Sequence, residues 1–346
     1  MRALVLGLAT LAAVAIGVSA AGPAVQVVAK EADRRVDVLV DGQPFTSYVW
    51  PESLTKPVLY PIRTEKGTLL TRGFPLDPRP GERTDHPHHV GLWFSYGDVN
   101  GVDFWNNSSA LPKEKQAVMG RHRPVRIVSA KGGETEGRLQ ALVEWVMPDG
   151  SVALDEETTF VFRKTTGGRL IDCVAQLTAR DKPVRFPDNK EGVLGLRLAR
   201  ALEQPSTEPA TFTDSSGVAT TVARLDNTGV TGLYHTSEGK EGDAAWGTRG
   251  RWCALSGKLG AEYVTIAILD HPNNPGAPTY WHARGYGLFA ANPLGEKALS
   301  DGKETLDFAL APGGKATFRY RIAILSRPFA AAEVEALARA FAAEKP

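Results

Sequence analysis

Apolar and polar residues alternate with a period of two along most of the chain. The clearest alternating segments are Val25–Ala29, Arg35–Val40, Arg138–Met147, Glu157–Lys164, Arg169–Ala179, Tyr263–Leu269 and Ala316–Leu325. Turn signals such as Asp149-Gly150 separate them, and the run around that turn is the strongest hairpin signal. Alternation of this kind indicates strands with one buried face, and its regular spacing favours antiparallel pairing. The pattern predicts an all-β fold, a large antiparallel β-sandwich of roughly fifteen or more strands.

One segment near the C-terminus has a helical pattern instead. Val334, Leu337, Ala338 and Phe341 fall on one face of a helix. The sequence therefore predicts one C-terminal helix, residues 328–345, with its apolar face packed against the sandwich.

The beginning of the chain differs from the rest. A basic Arg2 is followed by an apolar run and a small-residue exit, the features of a secretory signal peptide. We expect residues 1–20 to be a signal peptide cleaved after Ala20 or Ala21; a retained membrane anchor is the alternative. Residues 21–346 are predicted to form a single domain without a membrane span, exported to the periplasm or the cell exterior.

The overall charge narrows the classes of partner. The chain of 346 residues has 40 Lys and Arg against 39 Asp and Glu, a net charge of +1. Nucleic-acid binders and polybasic membrane-surface proteins carry a marked excess of basic residues. We therefore expect neither a nucleic acid nor a membrane surface as the partner.

Cys173 and Cys253 are the only cysteines in the chain. In an exported protein they could form a disulfide bond, because oxidising compartments permit one. The alternative is a pair of buried thiols within strands, and the sequence leaves both possibilities open.

Three of the seven histidines lie within four residues, at His86, His88 and His89. Pro87 favours an extended backbone at His86, and in an extended segment His86 and His88 point to one face while His89 points to the other. The cluster suits acid–base catalysis or hydrogen bonding to a substrate. Metal binding and a purely structural role are the alternatives.

A metal site would need a further ligand beside the paired histidines. Asp103, His122 and His282 are candidates, but the sequence does not place them near the cluster. No cofactor is firmly predicted. A divalent metal stays an alternative, with His86, His88 and His122 as the candidate ligands.

Aromatic residues follow the histidines closely in the sequence, at Trp93, Tyr96 and Trp105. Such residues are usually part of a core. Indole rings beside polar groups also suit a sugar site, where C–H faces stack on the rings and hydroxyls meet polar side chains.

A second polar segment, Asp188–Gly192, lies between two strand-like runs. It suits a solvated turn. It also suits a site in which Glu191 is a general acid or base, Lys190 binds substrate or balances the carboxylate, and Arg197 orients it.

A third polar segment follows the strand that ends at Leu269. Asn273 and Asn274 lie in its proline-rich loop, and Trp281 and His282 open the next strand. Because binding residues concentrate on loops held by a rigid sheet, we expect these residues at the site, with a buried structural histidine as the alternative for His282.

These three regions resemble one known family. The segments Pro57–Trp105, Asp188–Arg197 and Leu269–Gly295 are similar to the bacterial PmoA-like family, a domain of unknown function found mostly in exported proteins. Members often carry Arg where this chain has Val90 and Asp where it has Gly285, so roles that depend on those two side chains are not expected here.

The resemblance implies a sandwich like those of galactose-mutarotase-type proteins and other sugar-active proteins. The family label refers to a membrane-embedded methane oxygenase subunit. That does not fit a chain with one removable apolar segment, so we interpret the label as a misnomer.

Together these features predict an exported carbohydrate-active protein, and we favour an enzyme: a hydrolase, lyase or isomerase using His/Glu acid–base chemistry on a small-molecule or oligosaccharide ligand. The expected catalytic residues are His86, His88, His89, Glu191 and His282. The expected substrate-binding residues are Trp93, Asp103, Trp105, Lys190, Arg197, Asn273, Asn274 and Trp281. The alternatives are a divalent-metal-dependent lyase or oxygenase that uses the histidine cluster, and a non-catalytic glycan-binding module.

Overall fold

Two antiparallel eight-stranded sheets form the body of the protein. The structure is a computed structural model that describes residues 23–345, so the predicted signal peptide lies outside the described residues. Sheet 1 contains β1 (Val25–Lys30), β2 (Arg35–Val40), β3 (Gln43–Val49), β4 (Val58–Leu59), β5 (Leu92–Tyr96), β11 (Gly192–Arg197), β17 (Tyr280–Arg284) and β18 (Leu288–Asn292). Sheet 2 contains β6 (Arg121–Lys131), β7 (Glu136–Val146), β8 (Val152–Thr165), β9 (Gly168–Ala179), β14 (Leu233–Thr236), β15 (Trp252–Leu259), β16 (Glu262–Asp270) and β20 (Lys315–Leu325).

Shorter elements connect and cover the two sheets. Two small ribbons pair β10 (Val184–Phe186) with β19 (Phe308–Leu310) and β12 (Ala210–Thr213) with β13 (Ala219–Val222). The helices are α1 (Lys113–Gln116), α2 (Glu296–Leu299) and α3 (Ala331–Ala342), with short 3-10 turns at Glu31–Asp33, Arg200–Leu202 and Gly242–Ala245. No helix within residues 23–345 has both the length and the apolarity that a membrane span requires.

The strand order explains how distant segments of the chain meet. Sheet 1 runs β1-β2-β3-β4-β5-β11-β18-β17, and sheet 2 runs β14-β15-β16-β20-β9-β8-β7-β6. The strongest predicted hairpin is the β7–β8 pair, in which Trp145 faces Leu154. The predicted antiparallel β-sandwich is thereby confirmed.

The inner faces of the two sheets form the main core. Phe94 of β5 contacts Trp145 of β7, with ring centroids 6.4 Å apart, and Phe318 of β20, at 5.7 Å. All three rings are buried. The alternating pattern seen in the sequence therefore directs one face of each sheet into a shared apolar layer.

The C-terminal helix packs on the other face of sheet 2. Val334, Ala338 and Phe341 of α3 are buried against apolar residues that include Trp252 and Leu269. The prediction of one amphipathic C-terminal helix is confirmed, and its ends lie within the predicted 328–345.

The two cysteines are free, buried thiols in sheet 2. Cys173 lies in β9 and Cys253 in β15, and two further strands, β20 and β16, separate them. Of the two possibilities that the sequence left open, the structure has the pair of buried thiols.

The outer face of sheet 1 has a row of aligned residues that shapes the candidate site. Trp93 of β5 faces Gly195 of β11, which faces Ala290 of β18, which faces His282 of β17. Directly opposed residues in adjacent strands place their side chains on the same face. Two small residues thus lie between a tryptophan and a histidine.

Gly195 is required by the rings that lie over it. A Cβ atom at this position would lie 2.5 Å from Cε2 of Trp93 and 2.8 Å from Cη2 of Trp105. Both indoles are buried and rigidly packed, so neither can move away without disturbing its neighbours.

We expect Gly195→Ala to lower the free energy of unfolding by about 1–3 kcal/mol, the usual cost of overpacking. Chemical denaturation followed by tryptophan fluorescence measures this change. Gly285→Ala is the matched control, because its new Cβ first meets the flexible end of Gln204. Equal stability in the two variants would contradict the packing described.

Candidate active site on the outer face of sheet 1

A carboxylate shared by two buried guanidinium groups anchors the site. Oδ1 of Asp85 accepts hydrogen bonds from Arg72 Nη1 at 2.7 Å and from Arg197 Nη2 at 2.5 Å. The Arg72 and Arg197 side chains are 1% and 0% exposed. Burial opposes ionisation of Asp85, but the hydrogen bond from His86 and the charges of Arg197 and Arg72 outweigh it and hold its pKa well below the ordinary value.

The histidine segment folds as a turn around Arg72. This guanidinium also donates to the carbonyl oxygens of Asp85, His86 and His89. The backbone N–H of His89 donates to the carbonyl of His86, and His86 has a φ of +44°. The predicted extended conformation, with His86 and His88 on one face and His89 on the other, is therefore wrong, because the guanidinium gathers these carbonyls to one side.

The turn stacks the histidines into a column of parallel rings. The ring of His86 lies between Tyr286, 5.0 Å away, and His89, 4.9 Å away, and His89 in turn stacks on Trp93 at 5.2 Å. Spacings of this size are typical of offset stacking. Trp105 closes the inner end, 5.0 Å from Trp93 and 6.0 Å from His89.

His88 joins this group from the side. Its ring contacts His89 edge to face at 4.2 Å, and burial lowers the pKa of His88 to about 2, with the charge of Lys56 adding to the effect. The structure therefore brings together His86, His88 and His89, two of the three predicted tryptophans (Trp93 and Trp105) and Arg197.

The column does not supply a metal site. Parallel imidazole rings direct their nitrogen lone pairs in parallel planes, so His86 and His89 do not converge on one ion. His122 lies elsewhere, edge to face against Trp145 at 4.3 Å. Across residues 23–345, no group of three or more His, Cys, Asp or Glu side chains is arranged to hold a metal. The candidate ligand set of His86, His88 and His122 is therefore not assembled.

A second pair of titratable groups lies beside the column. His282, on β17, has its Nδ1 3.8 Å from Oε2 of Glu191, which precedes β11. Lys190 Nζ lies 3.6 Å from Oε1 of the same carboxylate. The Lys190 side chain is 60% exposed and that of Glu191 18%, so these two side chains lie nearer the surface than the buried Trp93 and Trp105.

The two groups are shifted in opposite directions. Burial raises the pKa of Glu191 above its ordinary value, although Lys190 partly offsets this. Burial and the charge of Arg284 lower the pKa of His282 to about 4. Near neutral pH the imidazole is therefore uncharged, and the carboxyl holds its proton more strongly than an ordinary glutamate.

The backbone fixes the tautomer of His282. Its Nδ1 lies 2.9 Å from the carbonyl oxygen of Lys190, which can only accept, so Nδ1 carries the proton. Nε2 then presents a lone pair. Within residues 23–345 this atom has no hydrogen-bond partner, yet it is not among the fully buried unpartnered atoms, so solvent reaches it.

The pair and the column interact electrostatically. Besides burial and Lys190, the charges of Asp103 and His86 affect the pKa of Glu191. Asp103 is held in place because both of its carboxylate oxygens accept hydrogen bonds from Asn106. The predicted residues Asp103, Lys190, Glu191 and His282 thus adjoin the histidines in one site.

Three predicted binding residues lie elsewhere. Trp281 is completely buried on the inner face of sheet 1, because it is one residue from His282 along the same strand. Asn274 donates to Asp270 and to the carbonyl of Arg319, and Asn273 is exposed on the same loop. This loop leaves sheet 2 and crosses to sheet 1, so only its far end reaches the site.

Several residues of the site had no assigned role in the sequence analysis. Arg72 precedes the histidine cluster and Tyr286 follows His282 by four residues, but no local pattern in the sequence indicates that either side chain contacts His86. Lys56 is also buried, and its Nζ donates to the carbonyl of Trp105 at 2.8 Å. Asp85 was the one available signal, since a carboxylate directly before a histidine cluster often orients an imidazole.

A cavity of about 430 Å³ opens beside the column. Tyr286 and Arg284 form one wall, and Arg284 lies two residues from His282 on the same face of β17. Gln204, Asp243 and other polar residues complete the lining. This volume is within the range of small-molecule sites.

Comparison with known sequences identifies the family. Residues 35–339 match the profile of a family of unknown function, DUF6807. Because this match covers most of the chain, the protein belongs to that family. The match does not carry the PmoA-like label, which stays an expectation from resemblance, and none of the curated proteins compared with the chain matches it.

Several solved structures are similar in outline. A putative aldose 1-epimerase from Escherichia coli K12 has a TM-score of 0.37 at 11% identity, over 88% of this chain and 99% of that one. A galactose 1-epimerase from Lactobacillus acidophilus has a TM-score of 0.33 at 12% identity, over 86% and 97%. The GH36 α-galactosidase of Geobacillus stearothermophilus has a TM-score of 0.38 at 12% identity, over 87% and 41%. With TM-scores this low, none of these likenesses defines the chemistry of this chain.

We expect Asp85→Asn to lower the free energy of unfolding by about 3 kcal/mol or more, because two buried guanidinium groups lose their only shared counter-charge. Denaturant titration measures it. Asp77→Asn, at an exposed position of the same loop, is the control and should change stability little. A change below about 0.5 kcal/mol in the Asp85 variant would contradict the anchoring role.

The pH dependence of stability gives a second prediction. The pKa of His282 is 6.5 ordinarily and about 4 in the folded protein. At a pH between these two values, His282 binds a proton in the unfolded chain and not in the folded one. The residue therefore lowers the free energy of unfolding as the pH falls through this window. His282→Gln removes this cost. The difference in unfolding free energy, wild type minus variant, should decrease as the pH falls through this window and be constant above it. A constant difference at every pH would contradict the lowered pKa.

Proposed function

We propose that this protein is an exported carbohydrate-active enzyme that moves protons on a sugar with Glu191 and His282. One observation carries the proposal: the Glu191 carboxyl, just before β11, and the His282 imidazole, on β17, lie 3.8 Å apart, and their surroundings raise the pKa of the carboxyl and lower that of the imidazole. The two shifts act against the ordinary order of the two pKa values, in which the imidazole is the more basic group, and they favour the carboxyl as the acid and the imidazole as the base.

The geometry supports particular atoms for these roles. Nε2 of neutral His282 accepts a proton, because its lone pair is free and reached by solvent. Glu191, whose pKa burial raises above the ordinary value, donates one. A base and an acid side by side suit proton transfer at adjacent sugar atoms, as in epimerisation or lysis, and protonation of a leaving oxygen in hydrolysis.

The surroundings suit a sugar in their polarity. Lys190 and the edge of His86, whose side chain is 40% exposed, lie near the surface, and the cavity beside the column has polar groups of Arg284, Gln204 and Asp243 in its walls. Ammonium, imidazole and carboxylate groups bind hydroxyls. Trp93 and Trp105 are buried, so they do not offer open faces for stacking as the sequence suggested.

Glu191→Gln should reduce turnover by a factor of about 10²–10⁴, the usual contribution of a general acid or base. Turnover is followed by NMR of a panel of reducing sugars and glycosides incubated with the protein. His282→Gln should show a similar loss. Glu134→Gln, at an exposed hairpin position, is the matched control and should retain full turnover.

The stability of the same variant separates catalysis from a structural role. Because burial raises the pKa of Glu191, its charge is costly above that pKa, and Gln removes the cost. The Glu191→Gln variant should therefore lose activity while its unfolding free energy at pH 8 stays equal or rises. An active variant would refute the assignment. Sugar binding without any conversion by the wild type would instead favour a glycan-binding module.

A further inference from the structure

The position of the proton on His89 is fixed by its neighbour. Arg197 Nη1 lies 3.2 Å from His89 Nδ1, and a guanidinium group has donors but no acceptor. Nδ1 therefore accepts, and the neutral ring carries its proton on Nε2. This Nε2–H group is fully buried, and nothing in the described part of the chain accepts from it.

Two indole N–H groups next to His89 are also buried without an acceptor in the described part of the chain. The Nε1–H groups of Trp93 and Trp105 are fully buried and have no acceptor among residues 23–345. The three rings contact one another, with centroids 5.0 to 6.0 Å apart. An unsatisfied buried donor costs about 1–3 kcal/mol, and native proteins contain few of them. Three in one cluster indicate a place where an acceptor binds.

The charged groups that hold the histidine turn favour the same kind of ligand. Arg72 and Arg197 share the carboxylate of Asp85, so these three groups together carry one net positive charge, although the carboxylates of Glu82 and Glu203 also act on Arg72. The Nε atoms of both arginines are also buried without acceptors in the structure's described range. Ser95, two residues after Trp93 on the same face of β5, adds a hydroxyl that lacks a partner there.

We infer that the site takes an acidic sugar, such as a uronic acid, and that His89, Trp93 and Trp105 bind its carboxylate. The inference rests on the proposed function and names its substrate class. A neutral hydroxyl brings one proton with its two lone pairs, and the N–H groups of His89, Trp93 and Trp105 cannot accept that proton. A carboxylate brings several lone pairs, no proton and a negative charge.

His86 lies between His89 and the surface. It is the exposed ring of the column, it lies over His89, and its only side-chain hydrogen-bond or ion-pair partner within residues 23–345 is Asp85. Displacement of this one ring uncovers the face of His89 on which it stacks. In the inferred complex the carboxylate accepts from the inner N–H groups, and the sugar ring extends toward Glu191 and His282.

Calorimetric titration of the wild-type protein tests the inference directly. D-Glucuronate and D-galacturonate should bind at least tenfold more tightly than D-glucose and D-galactose, since a hydrogen bond to a charged group contributes this much or more. Trp93→Phe and Trp105→Phe keep an aromatic ring and remove the N–H. Each should weaken binding of the acid sugars about tenfold more than it weakens binding of the neutral sugars.

Trp252→Phe is the matched control, because its Nε1 donates to Glu335 at 2.8 Å on the outer face of sheet 2. It should bind both kinds of sugar as the wild type does. If acid and neutral sugars bind equally while Glu191-dependent turnover persists, this inference is overturned and the proposed function stands. If no sugar binds or reacts, both fail. The comparison of acid and neutral sugars on the wild-type protein tests the inference even where a tryptophan variant does not fold.

Discussion

The candidate site depends on one electrostatic arrangement, the carboxylate of Asp85 between the buried guanidinium groups of Arg72 and Arg197. Two buried cations without a counter-charge would be very unfavourable, so this carboxylate makes the arrangement possible. Arg72 comes from the long loop after β4 and Arg197 from the end of β11. The interaction therefore fixes a loop to the sheet, and with it the turn that carries the three histidines.

The column of rings follows from that turn. Arg72 binds the carbonyls of Asp85, His86 and His89, and the rings of His86 and His89 lie in a stack between Tyr286 and Trp93. Gly195 provides the space beneath the indoles, and Lys56 holds the backbone of Trp105. A buried inner region that contains Arg72 and Arg197 thus adjoins the partly exposed Glu191 and the solvent-accessible Nε2 of His282. This division suits binding at one end of a sugar and chemistry at the other.

The architecture was predictable from the sequence, but the geometry of the site was predictable only in part. Hydrophobic periodicity reflects local burial, so the sandwich could be inferred from its period of two and the helix with Val334 and Phe341 from its helical spacing. The turn at His86 could not, because its cause is Arg72, which no local pattern connects to it. Trp281 was assigned to the site with His282, although adjacent strand residues point to opposite faces. Glu191 immediately precedes β11 and His282 lies in β17, and only the order of sheet 1 places them together.

The central claim is that Glu191 and His282 form an acid–base pair with a neutral imidazole, and NMR titration of the two side chains tests it most directly. The account predicts that the His282 ring stays neutral, with its proton on Nδ1, down to about pH 4, and that the Glu191 carboxyl titrates above its ordinary value of 4.5. An imidazole that takes up its proton near pH 6.5 beside a carboxyl that ionises near pH 4.5 would contradict it.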